Sequence, residues 1–270
     1  MIFFTSIVAG FFGAMLGIGG GVIIVPTLAG ILGVDLKLAI AASLVAVTAT
    51  SSAAAAAFVK DRLTNVRLAV FLESATTTGA VMGVLIGDFA PRKVLSMLFI
   101  GVLLLAAYNI YRRRHASPLP PGSGGWWEER LKLSGSYHDM AERRLVNYGM
   151  RRIPLGWLLM LFAGMLSGML GIGAGVLKVP IMDSAMGLPA KASSATSNFM
   201  IGVTAASGAI TMYFMGRINP LVAAPVAVGV FLGSFAGSRL MPQVKDNRIR
   251  LMFIGILLAA AVQMLRRQFS

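Results

Sequence analysis

The strongest constraint on this chain is a glycine-rich break inside apolar sequence that occurs twice. Met15-Leu16-Gly17-Ile18-Gly19-Gly20-Gly21-Val22-Ile23-Ile24-Val25-Pro26 returns as Met169-Leu170-Gly171-Ile172-Gly173-Ala174-Gly175-Val176-Leu177-Lys178-Val179-Pro180, at an offset of 154 residues. The offset holds along the chain. Gly33 meets Gly187, Lys37 meets Lys191, Ser43 meets Ser197, Asn65 meets Asn219, and Gly79 and Gly83 meet Gly233 and Gly237. The chain is therefore a duplicated unit. Glycine weakens a helix and proline removes a donor and clashes with the preceding turn. Each apolar run is thus expected to split into two short helices: Ile2–Leu16 with Val22–Leu32, and Leu155–Leu170 with Val176–Met186.

Such non-helical backbone is tolerated in a bilayer only where protein buries it or where it lines an aqueous cavity. A bilayer is the required setting: 57% of residues are hydrophobic, 13% are charged, and mean hydropathy is +0.79. A soluble domain carries about 25% charged residues. Further spans are expected at 38–59, 68–89, 94–111, 192–214, 221–240 and 251–265. This predicts an all-α polytopic membrane protein with a first repeat at 1–111, a linker at 112–152 and a second repeat at 153–270.

The net charge of +14 does not point to nucleic acid, because basic residues cluster at the ends of apolar runs as the positive-inside rule expects. The chain lacks cysteine, which excludes disulfides, thiolate metal sites and thiol catalysis. The N-terminus has no basic n-region, so no cleaved signal peptide is expected. The linker opens with Pro118, Pro120 and Pro121 and carries nine Lys/Arg against four Asp/Glu. It reads as cytoplasmic, with a stretch from Glu128 to Asn147 that could be helical.

Two topologies remain open. If each glycine-rich segment crosses the membrane, the halves are parallel. If each is a re-entrant hairpin beside three spanning helices, the halves are inverted. With the linker inside, inversion places 17 Lys/Arg inside against 6 outside, and the parallel arrangement 15 against 8. The charge rule favours inversion, and inverted repeats with broken helices at a midplane site are a recurrent transporter plan.

The paired breaks carry the functional signal. Helix N-termini expose unpaired N–H groups and a partial positive charge, so two opposed breaks make an anion site built from backbone. Gly17, Gly19, Gly20 and Gly21 with Gly171, Gly173, Ala174 and Gly175 are its candidate residues. The spacing does not match a dinucleotide fingerprint and no G-K-[ST] follows. Lys178 lies deep in apolar sequence, where an ionisable residue is functional by default; the alternative is a lysine snorkelling to an interface. Ser43, Ser197 and Asn198, with Thr48, Thr50, Ser51 and Thr196, are candidate donors to anion oxygens. Glu73 is a candidate proton carrier for coupling, or an interfacial carboxylate near Arg67. His115 and His138 fall in the linker and read as solvated. No metal cluster, cofactor motif or catalytic constellation is expected.

The sequence resembles the sulfite exporter family typified by the TauE and SafE proteins, also called the 4-toluene sulfonate uptake family. The residues that carry the resemblance are Gly17-Ile18-Gly19-Gly20-Gly21 with Pro26, Lys191-Ala192 with Thr196-Ser197, and Phe231-Leu232-Gly233 with Gly237-Ser238-Arg239. It covers both halves and leaves out the linker. Gly20 becomes Ala174 in the second copy, and Lys178 stands where the family has an apolar residue. The resemblance implies a secondary transporter, an exporter of sulfite, sulfoacetate or other organosulfonates, in the bacterial inner membrane. It also implies a homodimer, although the Gly79/Gly83/Gly87 and Gly229/Gly233/Gly237 stripes could be consumed within one protomer. An uptake permease for sulfonate, thiosulfate or a non-sulfur organic anion is the alternative. A membrane enzyme or scaffold of sulfur metabolism would need buried acid–base pairs or redox residues.

Overall fold

The computed structural model describes residues 2–112, 119–141 and 143–269. Arg113, Arg114, His115, Pro118 and Ser270 lie outside the described residues. The first half comprises α1 (Ile2–Leu16), α2 (Gly21–Pro26), α3 (Leu36–Lys60), α4 (Val66–Phe89) and α5 (Arg92–Arg112). The second repeats this order as α7 (Ile153–Leu170), α8 (Gly175–Pro180), α9 (Ala190–Phe214), α10 (Pro220–Leu240) and α11 (Asp246–Phe269). Between them lie a short α6 (Trp126–Leu131) and the strands β1 (Gly135–Asp139) and β2 (Arg144–Tyr148).

The boundaries follow local chemistry. Asn65 and Asn219, the repeat pair, cap α4 and α10 by accepting from the amides of Leu68 (3.1 Å) and Leu221 (3.0 Å). Asp35 caps α3 through Lys37 N at 2.9 Å. Each such cap is worth about 1 kcal/mol. Pro26 and Pro180 end α2 and α8 in the same way. Proline cannot donate and crowds the turn before it, so the chain widens into π-helical turns at Thr27–Ile31 and Ile181–Met186. Glycines with φ of +68° and +87°, Gly33 and Gly187, then release the chain.

The halves interlock. Stripe glycines of α4 seat on α7: a Cβ on Gly79 or Gly83 would meet the carbonyl oxygen of Leu161 or Met165 at 2.1 or 1.9 Å. The same contacts recur between α10 and α1, where Gly233 and Gly237 press on the carbonyls of Ile7 and Phe11 at 1.9 and 2.1 Å. Both helix pairs run parallel, and both stripes are consumed inside the protomer, as close packing of helices in lipid requires. The equivalent helices α3 and α9 cross antiparallel at the centre. Ser51 donates to Asn198 O, while Leu44 lies beside Gly208. Phe4, Leu85, Phe89, Phe162, Phe214 and Leu221 remain exposed on the outside. Among the described residues six helices are long and apolar enough to cross a membrane, so the chain is a multi-pass, helical membrane protein.

The linker departs from expectation. Only the part of the Glu128–Asn147 stretch that falls in α6 is helical; β1 and β2 form an antiparallel hairpin pairing Gly135 with Tyr148 and Asp139 with Arg144. Tyr137, Asp139, Val146 and Tyr148 alternate with exposed residues, a period of two that a helix cannot bury. The hairpin docks on one end of the bundle. Asn65 Nδ2 donates to Leu133 O at 2.6 Å, and Lys191 Nζ meets Asp139 Oδ1 at 2.7 Å with both side chains buried. Tyr148 packs there too, and burial pushes its hydroxyl up to about 12.

Candidate functional site

The two glycine breaks meet where α3 crosses α9. Their backbones agree position by position: φ is +75°, +73° and +74° at Gly17, Gly19 and Gly20, and +69°, +70° and +62° at Gly171, Gly173 and Ala174. Gly21 and Gly175 then start α2 and α8. All eight residues are buried. Left-handed backbone explains the glycines. Ala174 carries a side chain in a conformation that costs an L-residue about 1–2 kcal/mol.

Each break is held by the other half. Ser43 Oγ donates to Gly171 O at 2.7 Å and Ser197 Oγ donates to Gly17 O at 2.7 Å. Asn198 Nδ2 adds a bond to Ala14 O at 2.6 Å, and its Oδ1 meets no donor among the described residues. A Cβ on Gly19 or Gly173 would strike the same Val47 side chain, at 2.7 and 2.4 Å, with Ile201 beside it. Val47 and Ile201 are themselves a repeat pair. A Cβ on Gly21 would lie 2.9 Å from Gly171 O, and one on Gly175 2.4 Å from Gly17 O. The breaks are thus in backbone contact in this conformation. Of the other proposed donors, Thr48 and Thr50 donate to Leu44 O and Ala46 O within α3, while Thr196 Oγ1 accepts from Asn65 N.

Lys178 does not snorkel. Its side chain is 0% exposed, and Nζ donates to Glu73 Oε2 at 3.0 Å and to Thr204 Oγ1 at 2.5 Å. Glu73 does not sit at an interface with Arg67, whose guanidinium lies 3.4 Å from Lys132 O. Its carboxylate accepts further bonds from Thr76 (2.9 Å), Thr77 (2.9 Å) and Thr204 (2.5 Å). Two of the proposed functional residues, from α8 and α4, thereby become one ion pair at the core of the bundle. Residue-by-residue reasoning missed the threonines 76, 77 and 204. The available signal was that Lys178 and Glu73 both break the repeat, with Ile24 and Ala227 as their counterparts.

The bundle ends differ. At the end away from the linker, Lys37 Nζ donates to Asp88 O and Arg217 pairs with Asp88 at 2.9 Å. Lys37 and Arg217, with Asp35, Phe89, Pro91 and Arg92, line an open pocket of about 460 Å³. At the linker end, the equivalent Lys191 donates to the equivalent Pro242 O at 3.2 Å, and the hairpin's Asp139 covers it. Among the described residues no group of three or more metal-ligating side chains exists.

The sequence pattern of the family described as Sulfite exporter TauE/SafE matches residues 2–264. The chain is similar to the probable membrane transporter protein YunE of Bacillus subtilis (strain 168), 23% identical over 267 residues, covering 96% of this chain and 94% of that protein. No solved structure matches significantly. With a match that spans both glycine breaks and the helices around them, the chain belongs to the TauE/SafE sulfite exporter family of membrane transporters.

Proposed function

We propose that this chain is a secondary carrier that exports small sulfur-containing anions such as sulfite, sulfoacetate or other organosulfonates across the bacterial inner membrane. The observation that carries the reading is the reciprocal junction of the two glycine breaks, each pinned by the other half's serine. In this proposal the halves are inverted, each break is the tip of a re-entrant hairpin, and the linker is cytoplasmic. The antiparallel crossing of α3 and α9 supports it. So does the bond from Arg151 N to Met186 O at 2.9 Å, which brings together the two ends of the second broken helix pair. An anion enters when the breaks part and their backbone amides turn to it, with Ser43, Ser197 and Asn198 released from the main chain to bond its oxygens. No nucleotide motif is present, so drive comes from gradients. An anion leaving an inside-negative cell gains about 2.3 kcal/mol per charge per 100 mV.

The test is flux into and out of proteoliposomes with sulfite, sulfoacetate, thiosulfate and sulfate. Saturable transport of sulfite or sulfoacetate, with outward movement favoured by an inside-negative potential, supports the reading. Its absence for every sulfur anion in both directions refutes it.

A further inference from the structure

We propose that the Glu73–Lys178 pair is a proton site coupled to the anion: an anion reaches Lys178 only as Glu73 takes up a proton, and the two cross the membrane together. The inference rests on the carrier reading above. The pair is neutral as it stands, and every oxygen of the carboxylate is engaged: Oε1 by Thr77 and Thr204, Oε2 by Thr76 and Lys178. Lys178 Nζ has its donors on Glu73 and Thr204. An anion arriving at this ammonium would find it already neutralised. Two negative groups around one buried cation repel strongly in a medium of low dielectric. Protonation of Glu73 removes that conflict: the proton moves from water to a carboxylate oxygen, the lysine–carboxylate contact breaks, and a lysine–anion contact replaces it. Release reverses both events, so proton and anion leave to the same side.

Geometry links this site to the glycine breaks. The Lys178 amide donates to Ala174 O at 2.8 Å, so Lys178 is one turn from the second break and moves with it. The other charged side chains on the surrounding elements, among the described residues, are paired elsewhere or sit at helix ends. On the elements packed around the pair, α7 carries none, and α9 has Lys191, held by Asp139. The π turn after α8 has Asp183, paired with Arg250 at 2.6 Å. On α4, Arg67 and Asp88 sit at its two ends, and on α5 Arg92, Lys93 and Arg112 do the same. The first half has no second copy, since the counterparts of Glu73 and Lys178 are Ala227 and Ile24. One proton site serves the whole carrier. The charge balance then selects a substrate class. A monoanion travelling with a proton is electroneutral, whereas a dianion still carries net negative charge outward and keeps the membrane potential as its drive. The preferred cargo is a small dianion.

The test is calorimetric titration of the full chain in nanodiscs with sulfoacetate and with sulfate, in two sulfonate-free amine buffers of different ionisation enthalpy. The expected result is uptake approaching a full proton per anion, with affinity falling about tenfold per pH unit wherever that uptake is complete. Glu73→Gln should bind with pH-independent affinity and no proton uptake, and Glu73→Asp should retain both. Binding by the parent without proton uptake overturns the coupling and leaves the carrier reading standing; uptake that persists in Glu73→Gln does the same. Failure of the parent to bind either anion overturns the coupling, and the carrier reading falls with it only if proteoliposome flux is also absent for every sulfur anion.

Discussion

Removing one partner of the Glu73–Lys178 pair has a calculable consequence. Lys178→Met keeps length and deletes the charge, stranding a carboxylate that is 9% exposed. Breaking a buried ion pair from one side costs about 3–5 kcal/mol. The stranded Glu73 keeps hydroxyl donors from Thr76, Thr77 and Thr204, so the lower end applies, about 3 kcal/mol. Glu73→Gln strands the ammonium but leaves an amide oxygen to accept from it, and also costs about 3 kcal/mol. In the double variant neither charge is left alone. Its cost should be no more than about 2 kcal/mol, a coupling of several kcal/mol rather than simple addition. Thermal unfolding in mild detergent reads these as losses of about 6–12 °C for each single variant. The pH dependence has a definite sign. A stranded carboxylate is relieved by protonation, so Lys178→Met should lose less as pH falls. A stranded ammonium is relieved by deprotonation, so Glu73→Gln should lose less as pH rises. Additive single losses, or losses that ignore pH, would refute the buried-pair account.

Three further outcomes follow from the geometry. Ala174→Gly removes a side chain from a φ of +62° and should raise the unfolding temperature by up to a few degrees, equivalent to about 1 kcal/mol; a loss would mean that the methyl contributes packing. Asp139→Asn strands Lys191, which is 0% exposed, and should cost about 3 kcal/mol and raise protease cleavage within the hairpin; an unchanged cleavage pattern would show that the pair does not hold it down. A cysteine in place of Lys245 should label only from the cytoplasmic side and one in place of Arg217 only from the other, while the exchanged pattern, with Lys245 labelled from outside, would remove the inverted arrangement and restore parallel repeats.

The broken helices were legible because their cause is local. Gly17 to Gly21 and Pro26 act on their own backbone, and the same chemistry at Gly171 to Gly175 and Pro180 makes the reading double. Asn65, Asn219 and Asp35 also act locally as caps, but spans drawn on hydropathy alone passed over them and began one or two residues late, at 38, 68 and 221. The pairing of halves was not legible. Ser43 and Ser197 could be seen as equivalent, but their exchange of carbonyl partners depends on α3 crossing α9, a tertiary fact. Glu73 and Lys178 lie 105 residues apart, and no local pattern joins them. The hairpin was misjudged because Tyr137, Asp139, Val146 and Tyr148 alternate over only five residues per strand. What stabilises it is a docking surface that includes Lys191, far along the chain.

The central claim is that the anion sits where the two glycine breaks meet, and the absence of native cysteine makes a direct measurement clean. Ser43→Cys and Ser197→Cys each place the only thiol in the protein on a main-chain oxygen of the opposite break. The measurement is the rate at which a small thiol reagent modifies each variant in membranes, with and without saturating sulfoacetate. The account predicts that the anion slows modification at both positions alike, because one ligand covers two equivalent sites. Equal rates with and without sulfoacetate at both positions, in variants that still bind it by calorimetry, would place the anion elsewhere and contradict the account.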